Sequence, residues 1–489
     1  MLIIGSAQAL HIMISITRMK VLAVLLGPSG VGLVGIYNSL LSTVQQTAGL
    51  GMGSSGVREV ASSRGEEPTL SRVRRVLFMA HLVQGTLAML IVWLARVQIS
   101  TWLFGDATLA TEVGLIGVAI LFALLGSAQT AVLQGMSRIT DLGRVKVIGA
   151  LVGTAAGLAA VLGYGVSGLI WLILLQPLAA VLVALRYTRR LPRTTVTRLS
   201  WLETWDAWKP MAKLGAGFML GGLATAATLL VVRGWISQEL GLDVAGYFTA
   251  AWVITMTYVG VLLGAMGADY YPRLTRVIDD RPAAVQLMND QAQLSLSIGG
   301  PVLLMLIGLA PWVTTLLYSA EFDPAVALLQ WQTVGNVFKL ATWAMSYSIV
   351  AARKSGYYIL AQLSFNLIFL SLVWWLLPVA GLLMTAIAFV IGHVVCFFVV
   401  FLFAKRLTGF RWEALSLGLL GLHVGLAATL LALALTVPLA ATLASPVLAA
   451  ATGLFGLRVV LIKIGPEERV AARLARIYAA IGWPIKSVV

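Results

Sequence analysis

The chain has 489 residues, 60% of them hydrophobic and 11% charged, with a mean hydropathy of +0.94. A water-soluble core cannot bury that much apolar sequence, whereas a bundle of membrane-spanning helices can. The formal charge of +15 does not indicate nucleic-acid binding, because most Lys and Arg residues lie in loops between apolar segments, the pattern of topology control by cytoplasmic positive charge.

Hydropathy predicts fourteen membrane-spanning helices and therefore an all-α integral membrane protein. Most of them hold about 20 or more residues, enough to cross a hydrocarbon core of ~30 Å. The predicted spans are residues 2–26, 31–55, 76–99, 113–135, 145–163, 167–187, 213–237, 243–268, 291–318, 325–351, 357–377, 379–403, 414–437 and 441–462.

The loop charges predict the orientation of these spans. With the N-terminus in the cytoplasm, 29 of the 34 Lys and Arg residues lie in the inward loops and the tail after residue 457, and the outward loops hold only Arg96. We therefore expect both termini to be cytoplasmic. The N-terminus lacks the basic segment and the small-residue cleavage site of a signal peptide, so we expect Met1 onward to form the first span.

Four cations remain, Arg18, Lys20, Arg233 and Lys339, and all lie within predicted spans. A cation at mid-bilayer costs about 2.5–3.5 kcal/mol on insertion scales, so it usually faces a polar interior. Two alternatives stay open for the first pair. Arg18 and Lys20 mark the cytoplasmic end of a short first helix, against the parity of the other loops, or Lys20 extends to the outer interface.

The longest inward loop, Arg186–Lys213, indicates the junction between two halves. We expect an N-terminal lobe of residues 1–190, a cytoplasmic linker of 191–212, a C-terminal lobe of 213–405, two extra helices in 406–465 and a cytoplasmic tail of 466–489. The tail has the pattern of an amphipathic helix on the inner leaflet. Its apolar face comprises Val470, Leu474, Ile477 and Ile481.

The start of the second half weakly repeats the start of the first. Gly32-Leu-Val-Gly35-Ile-Tyr37 follows a helix bearing Arg18 and Lys20, and Asp243-Val-Ala-Gly246-Tyr-Phe248 follows a helix bearing Arg233. A duplicated six-helix unit explains this repetition, as internal repeats do in many transporters.

Polar residues recur at helical spacing in three predicted spans. These stripes are His11, Ser15 and Arg18 in the first span, Asn38, Ser42 and Gln45 in the second, and Gln332, Asn336, Lys339 and Trp343 in the tenth. Hydrogen bonds between membrane helices need only hydroxyls and amides. We therefore interpret the stripes that include a cation as facing a cavity.

Carboxylates that would pair these cations are scarce within the spans, so the cavity is expected to be net positive and to attract anions. Arg grips phosphate oxygens with its planar fork, and Lys supplies a point charge. Trp343 suits a sugar ring, although packing is the commoner use of Trp in a membrane helix. His11 is the candidate titratable group.

Other chemistries lack their sequence signals. There is no phosphate-binding GxxxxGK[ST] loop, no metal-ligand spacing and a single cysteine, Cys396, so we expect no cofactor, metal site or disulfide. His393 and His423 are interpreted as structural. No outward loop is long enough for a hydrolase or glycosyl-transfer site, so a membrane-embedded polymerase or transferase is a less favoured alternative to a transporter. A scaffold subunit in glycan assembly is a third possibility, for which the buried cations should be replaceable without loss of export.

Residues Lys20–Glu66, KVLAVLLGPSGVGLVGIYNSLLSTVQQTAGLGMGSSGVREVASSRGE, strongly resemble the opening of the Wzx-type O-antigen translocases, a family that includes the lipid III flippases. This family is the polysaccharide transporter branch of the multidrug/oligosaccharidyl-lipid/polysaccharide exporter superfamily. Gly246–Trp252 and Asp269–Leu274 resemble its second-half counterparts. The resemblance covers roughly residues 1–405.

The resemblance implies two six-helix lobes that alternate around a central cavity in a bacterial inner membrane. It implies that an undecaprenyl-pyrophosphate-linked oligosaccharide moves from the cytoplasmic to the periplasmic leaflet. The four intramembrane cations would hold the pyrophosphate, and Asn38, Gln45, Asn336 and Trp343 are weaker candidates for sugar contacts. Membrane lipids and polysaccharide polymerase or assembly proteins are the other expected partners; nucleic acid is not.

The chain departs from this family in having fourteen predicted spans where twelve are usual. The last two either form a lipid groove, as two extra helices do in the related lipid II flippase, or only pack against the second lobe. The alternative transporter is a multidrug exporter of the same superfamily, which predicts an acidic or neutral cavity for cationic drugs.

Overall fold

The computed structural model describes residues 2–191, 200–464, 469–480 and Trp483. All regular elements within these residues are helical, which confirms the predicted all-α fold. The α-helices are α1 Leu2–Gly49, α2 Met52–Ser62, α3 Glu67–Leu94, α4 Arg96–Phe104, α5 Ala110–Gly135, α6 Ile139–Tyr164, α7 Leu169–Thr188, α8 Trp201–Leu240, α9 Leu242–Val277, α10 Arg281–Leu317, α11 Pro324–Ala351, α12 Ser355–Ala380, α13 Leu383–Thr408, α14 Ala414–Thr436, α15 Pro438–Ile464 and α16 Arg469–Ala480.

The described part of the chain contains eleven helical stretches long and apolar enough to cross a membrane. Two of these stretches, Gly5–Gly49 and Ile139–Thr188, each contain two predicted spans. Helix α11 is not among the eleven, but it coincides with the predicted span 325–351. The helices therefore agree with the predicted spans, and the chain is a multi-pass membrane protein.

Helix α1 corrects two predicted boundaries. The sequence predicts a four-residue turn at 27–30, but only Gly27 leaves the helical conformation, at φ 64° and ψ −163°, and Pro28 already lies in the next helical segment. The second span is predicted to reach residue 55, but α1 ends at Gly49 because Leu50 and Gly51 have positive φ. A Cβ at Gly51 would lie 2.0 Å from the carbonyl oxygen of Gly215, so this close approach requires glycine.

The described residues form two compact units. The first comprises residues of Met1–Thr249 and Leu317–Glu321, and the second comprises residues of Ala250–Leu316 and Phe322–Val489. The boundary between the units lies within α9, whereas the sequence predicts a linker at 191–212. The last part of that predicted linker, from Trp201 onward, forms the first turns of α8.

Helix α8 begins with a capping box formed by Ser200 and Glu203. The backbone N–H of Glu203 donates to Ser200 Oγ at 3.2 Å, and the backbone N–H of Ser200 donates to Glu203 Oε2 at 2.7 Å. These two bonds satisfy donors that a helix start otherwise leaves unpaired. The bonds from the Ser200 backbone and side chain also lower the pKa of the Glu203 carboxyl.

In the first unit, the repeated glycine motifs contact each other reciprocally. A Cβ at Gly32 would lie 2.3 Å from the carbonyl oxygen of Leu242, and a Cβ at Gly246 would lie 2.0 Å from that of Pro28. Gly32 lies four residues after Pro28, and Gly246 lies four residues after Leu242. Each motif therefore contacts the other at an equivalent position, as expected for a contact related by a twofold axis.

In the second unit, a buried polar network joins α10 to the start of α14. Asn289 is fully buried, and its Oδ1 accepts from the backbone N–H of Glu413 at 3.0 Å and from Ser416 Oγ at 2.9 Å. Its Nδ2 donates to the carbonyl oxygen of Arg411 at 3.0 Å. His423 of α14 packs so closely on α10 that its ring would lie 2.2 Å from a Cβ at Gly300. Helix α14 is therefore integrated into the second unit.

The tail helix α16 packs against α15. Tyr478 is buried, contacts Leu461, Leu457 and Leu474, and donates its hydroxyl hydrogen to the carbonyl oxygen of Leu454. Ile477, on the apolar face predicted to lie on the membrane, is 57% exposed. Ile481 and the side chain of Val470 lie outside the described residues.

Candidate functional site

Arg18 lies on the first half of α1 and contacts α7. Its Nη1 donates a hydrogen bond to Gln176 Oε1, and its buried Nε has no acceptor among the described residues. Gln176 is held near α1 and α6 by tight helix packing, since a Cβ at Gly153 of α6 would lie 2.6 Å from the Gln176 Cα. The predicted cation is therefore held by a neutral amide.

His11 shares the Arg18 face of α1, and it has a second cationic neighbour. Arg18 and Lys146 of α6 both act electrostatically on the His11 ring. Two cations, Arg18 and Lys146, therefore act on His11.

Lys20 contacts a different segment from Arg18. Its Nζ donates to the carbonyl oxygen of Tyr318, which belongs to the same compact unit. Residues two positions apart in an α-helix point about 200° away from each other, which agrees with the different partners of Arg18 and Lys20. Arg18 and Lys20 therefore lie on the same helix but contact different segments of the first unit.

Arg233 of α8 is the most deeply buried of the predicted cations, with 6% exposure. Its Nη1 donates to the carbonyl oxygen of Gly35 at 3.2 Å and to Ser39 Oγ, and its Cζ lies 6.0 Å from the Phe248 ring centroid. The Nε atom has no acceptor among the described residues. Arg233 thus joins both repeated motifs, since Gly35 belongs to one and Phe248 to the other.

Several polar side chains of the predicted second span form hydrogen bonds within their own helix, α1. Asn38 is half-buried, and its Nδ2 donates to the carbonyl oxygen of Val34 at 2.9 Å. Ser39 and Thr43 donate to the carbonyl oxygens four residues earlier. Gln45 is half-buried. These back-bonds satisfy polar side chains inside a membrane without any ligand.

The second unit holds the remaining predicted residues on α11. Lys339 is half-buried, with its Nζ 3.1 Å from Met256 Sδ. Asn336 is fully buried, and neither its Oδ1 nor its Nδ2 has a hydrogen-bond partner among the described residues. Trp343 packs on the rings of Tyr270 and Tyr347, with centroids 5.7 and 5.1 Å away.

The two histidines interpreted as structural make local bonds. The Nδ1 of His393 lies 3.0 Å from the carbonyl oxygen of Phe389, and the Nδ1 of His423 lies 2.8 Å from that of Leu419. Each acceptor is four residues earlier in the same helix. These bonds agree with the structural interpretation, although Lys339 also acts electrostatically on His393.

Carboxylates among the described residues pair elsewhere. Asp141 pairs with Arg138 and Arg144, and the other ion pairs are Lys209–Asp206, Arg273–Asp269 and Lys463–Asp290. Within the described ranges, Arg18, Arg233 and Lys339 have no carboxylate oxygen within 4.0 Å. Neutral groups hold the Arg18 and Arg233 side chains while leaving their charges uncompensated.

Sequence reasoning missed two side-chain partners of these cations, Gln176 and Ser39, and also missed Lys146 as a neighbour of His11. Gln176 was detectable as an amide inside the apolar run WLILLQPLAAVL. Pairing it with Arg18 required the packing of α6 and α7, which hydropathy does not report.

Two curated relatives match most of the chain. The lipid III flippases of Escherichia coli (strain K12) and Shigella flexneri are each 26% identical over 385 residues, covering 77% of this chain and 91% of the relative. These matches support the resemblance that the sequence of Lys20–Glu66 indicates.

Solved structures share the fold at low sequence identity. The lipid II flippase MurJ in an inward closed conformation has a TM-score of 0.72 at 13% identity, covering 95% of this chain and 100% of that chain. An inward-facing multidrug resistance MATE family transporter of the MOP superfamily has a TM-score of 0.67 at 18% identity, covering 82% and 94%. The predicted superfamily fold is confirmed.

A family model described as "Polysaccharide biosynthesis protein" matches residues 21–327. This range contains the second half of α1, both glycine motifs, helix α8 with Arg233, and helix α9. It spans more than half of the 489 residues. The chain therefore belongs to the polysaccharide biosynthesis protein family.

Proposed function

We propose that this chain is a flippase that moves a lipid-linked oligosaccharide across a bacterial inner membrane. The relatives named lipid III flippases and the family of polysaccharide biosynthesis proteins support this activity. The observation that carries the proposal is the pair of intramembrane arginines, Arg18 and Arg233, which neutral side chains and carbonyl groups hold in place.

The substrate in this proposal is an undecaprenyl-pyrophosphate-linked oligosaccharide, an O-antigen or related surface-polysaccharide repeat unit. Pyrophosphate supplies the anionic oxygens that guanidinium groups bind in a fork. Arg18 and Arg233 are the main contacts of the pyrophosphate, and Lys20 and Lys339 are further cationic contacts. An anion compensates the charges of Arg18, Arg233 and Lys339, for which the described chain provides no carboxylate within 4.0 Å.

The sugar head is proposed to contact Gln45, Asn336 and Trp343, while the lipid tail stays in the bilayer. Asn336 supports this role because its amide is buried without a partner among the described residues, and such a group costs about 1–3 kcal/mol. Asn38 is a weaker candidate, since its Nδ2 already donates to Val34. His11, beside Arg18 and Lys146, is the proposed titratable group of the site.

Transport proceeds in this proposal by alternating access of two six-helix lobes, residues 1–190 and 213–405, from the cytoplasmic to the periplasmic leaflet. The reciprocal contact of the Gly32 and Gly246 motifs supports an internal duplication. Both termini are proposed to be cytoplasmic, and the product is passed to polysaccharide polymerase or assembly proteins in the periplasm.

The test is leaflet transfer of a labelled undecaprenyl-pyrophosphate oligosaccharide in proteoliposomes. We expect Arg18→Ala and Arg233→Ala to lower the transfer rate at least about tenfold, since each removes a charge-assisted contact worth roughly 1.5–3 kcal/mol. Arg96→Ala is the matched control, because the Arg96 side chain donates only to the nearby carbonyl of Trp93 at 2.9 Å. Wild-type transfer rates in both site variants would reject the cationic-site mechanism.

A further inference from the structure

Three polar side chains of α11 converge on α9 inside the second unit. Gln332, Asn336 and Lys339 recur at i, i+4 and i+7 spacing, so they share one face of the helix. Thr255 of α9 donates its hydroxyl hydrogen to Gln332 Oε1 at 2.9 Å, and Lys339 Nζ lies 3.1 Å from Sδ of the next residue, Met256. The two ends of this face therefore meet adjacent residues of α9, with Asn336 between them along α11. We call Gln332, Asn336 and Lys339 the α11 donor set.

Much of the hydrogen-bonding capacity of the α11 donor set is unused within the chain. Gln332 and Asn336 are both 0% exposed. Gln332 Nε2 and both polar atoms of the Asn336 amide have no hydrogen-bond partner among the described residues. The Lys339 ammonium carries three N–H donors, and the thioether sulfur that it contacts is only a weak acceptor. Buried polar groups normally have partners, so these groups are suited to bind something from outside the chain.

The charge of the α11 donor set favours an anion. Among the described residues, no carboxylate oxygen lies within 4.0 Å of Lys339. On α13, His393 and Cys396 interact electrostatically with Lys339, and neither supplies a carboxylate. An ammonium and two amide N–H₂ groups are donors, and donors beside a cation suit an anionic acceptor. The remaining acceptor, Asn336 Oδ1, can take an N–H of Lys339, which lies one turn away.

Burial limits the size of that anion. Lys339 is half-buried, whereas Gln332 and Asn336 are fully buried. An anion that reaches both amides must therefore leave the accessible part of the set, which lies at Lys339. A single atom such as chloride meets this requirement, whereas a phosphate group with a lipid chain and a sugar attached does not.

We propose that the α11 donor set binds a small inorganic anion of the chloride class. The Lys339 ammonium supplies the positive charge, and Gln332 Nε2 and Asn336 Nδ2 donate hydrogen bonds. In the proposed transport site, where Lys339 contacts pyrophosphate and Asn336 contacts sugar, the small anion balances the Lys339 charge while no substrate is bound. That role in transport rests on the proposed function, whereas anion binding itself does not.

Isothermal titration calorimetry of the purified full-length protein in detergent tests this proposal. The protein is equilibrated in sodium gluconate and titrated with sodium chloride at constant ionic strength, so chloride replaces a much larger anion. We expect a saturable heat of binding for the wild type. Lys339→Met removes the ammonium and keeps an unbranched side chain, so it should weaken chloride affinity about tenfold or more.

Gln332→Glu is a second, nearly isosteric test. The carboxylate still accepts the hydrogen bond from Thr255, but it replaces an amide donor of the set by an oxygen. We expect chloride affinity to fall about tenfold or more in this variant too, and it decides the question if Lys339→Met does not fold. Lys405→Met is the matched control, because Lys405 is an exposed lysine in the last turn of α13. Its chloride affinity should equal that of the wild type.

The outcomes separate anion binding from simple hydration of buried amides. If the amides hold only water, chloride injection gives no saturable heat in the wild type, and the proposal is rejected. Wild-type chloride affinity in folded Lys339→Met or Gln332→Glu protein would overturn it as well. No transport substrate is present in this titration, so its result is independent of the leaflet-transfer test of Arg18 and Arg233.

Discussion

The intramembrane arginines of the first unit are held by uncharged partners. Gln176 accepts from Arg18, and Gly35 and Ser39 accept from Arg233. A neutral acceptor fixes the direction of a guanidinium group, whereas a carboxylate would also neutralise its charge. Sequence reasoning found both arginines because a charge in an apolar run is visible in composition. It missed the acceptors because these come from helices distant in the chain.

Gln176→Glu is predicted to separate positioning from charge. The substitution keeps the shape of the side chain and gives Arg18 an internal counter-charge, so the hydrogen bond becomes a salt bridge. We expect an equal or higher midpoint of thermal unfolding in detergent, together with leaflet transfer reduced about tenfold because the carboxylate competes with the anionic substrate.

The matched control for that variant is Gln238→Glu. Gln238 is exposed at the far end of α8, where its amide donates to the carbonyl oxygens of Thr101 and Trp102. Its transfer rate should stay near that of the wild type. Unimpaired transfer in a folded Gln176→Glu protein would contradict the role assigned to the uncompensated Arg18 charge.

Helix identity followed from hydropathy, but helix ends depended on contacts. Apolar residues continue past Gly49, so composition alone extends the second span to residue 55. The helix ends earlier because Leu50 and Gly51 adopt positive φ where Gly51 meets the backbone of Gly215. Such a stop is set by a neighbouring helix, and a local window of sequence does not contain it.

The glycine contact between α1 and α9 gives a prediction at this scale. Gly246→Val places a Cβ about where the Pro28 carbonyl oxygen lies, 2.0 Å away, and backbone must shift to relieve the overlap. We expect destabilisation of more than about 3 kcal/mol and loss of monodisperse protein in fluorescence-detected size-exclusion chromatography.

Gly260→Ala is the control on the same helix. A Cβ at Gly260 would have no atom within 4 Å, and alanine is the better helix former by about 1 kcal/mol. This variant should elute as the wild type does, with an equal or higher unfolding midpoint. A well-folded Gly246→Val protein would show that the two backbones need not approach so closely.

The network at Asn289 predicts how α14 is held to α10. Asn289→Leu leaves the Glu413 N–H and the Ser416 hydroxyl without their acceptor, so we expect a loss of about 2–4 kcal/mol in a thermal or denaturant unfolding assay. Thr429→Val on the exposed face of α14 is the control, and it should change stability by less than about 0.5 kcal/mol. Equal stability of both variants would show that the network does not fasten α14.

At the scale of the whole molecule, the distribution of Lys and Arg predicts the orientation of the helices in the membrane. The sequence has a single cysteine, so Cys396→Ser provides a background for single-site labelling. In that background, Ser62→Cys should react with an impermeant maleimide only in inside-out vesicles. Ala107→Cys should react only in right-side-out vesicles. Both positions are exposed, and the reverse pattern would invert the proposed orientation.

The reciprocal glycine contact also limits how the second half of α1 and the start of α9 can move. At Gly32 and Gly246 one backbone touches another with no side chain between them. If the two helices slid along each other, each glycine would meet a residue of the partner helix that does carry a side chain. A change of angle about the contact meets no such obstacle. We therefore predict that any relative motion of these two helices, beside the site where Arg233 joins the two motifs, is a change of angle and not a translation.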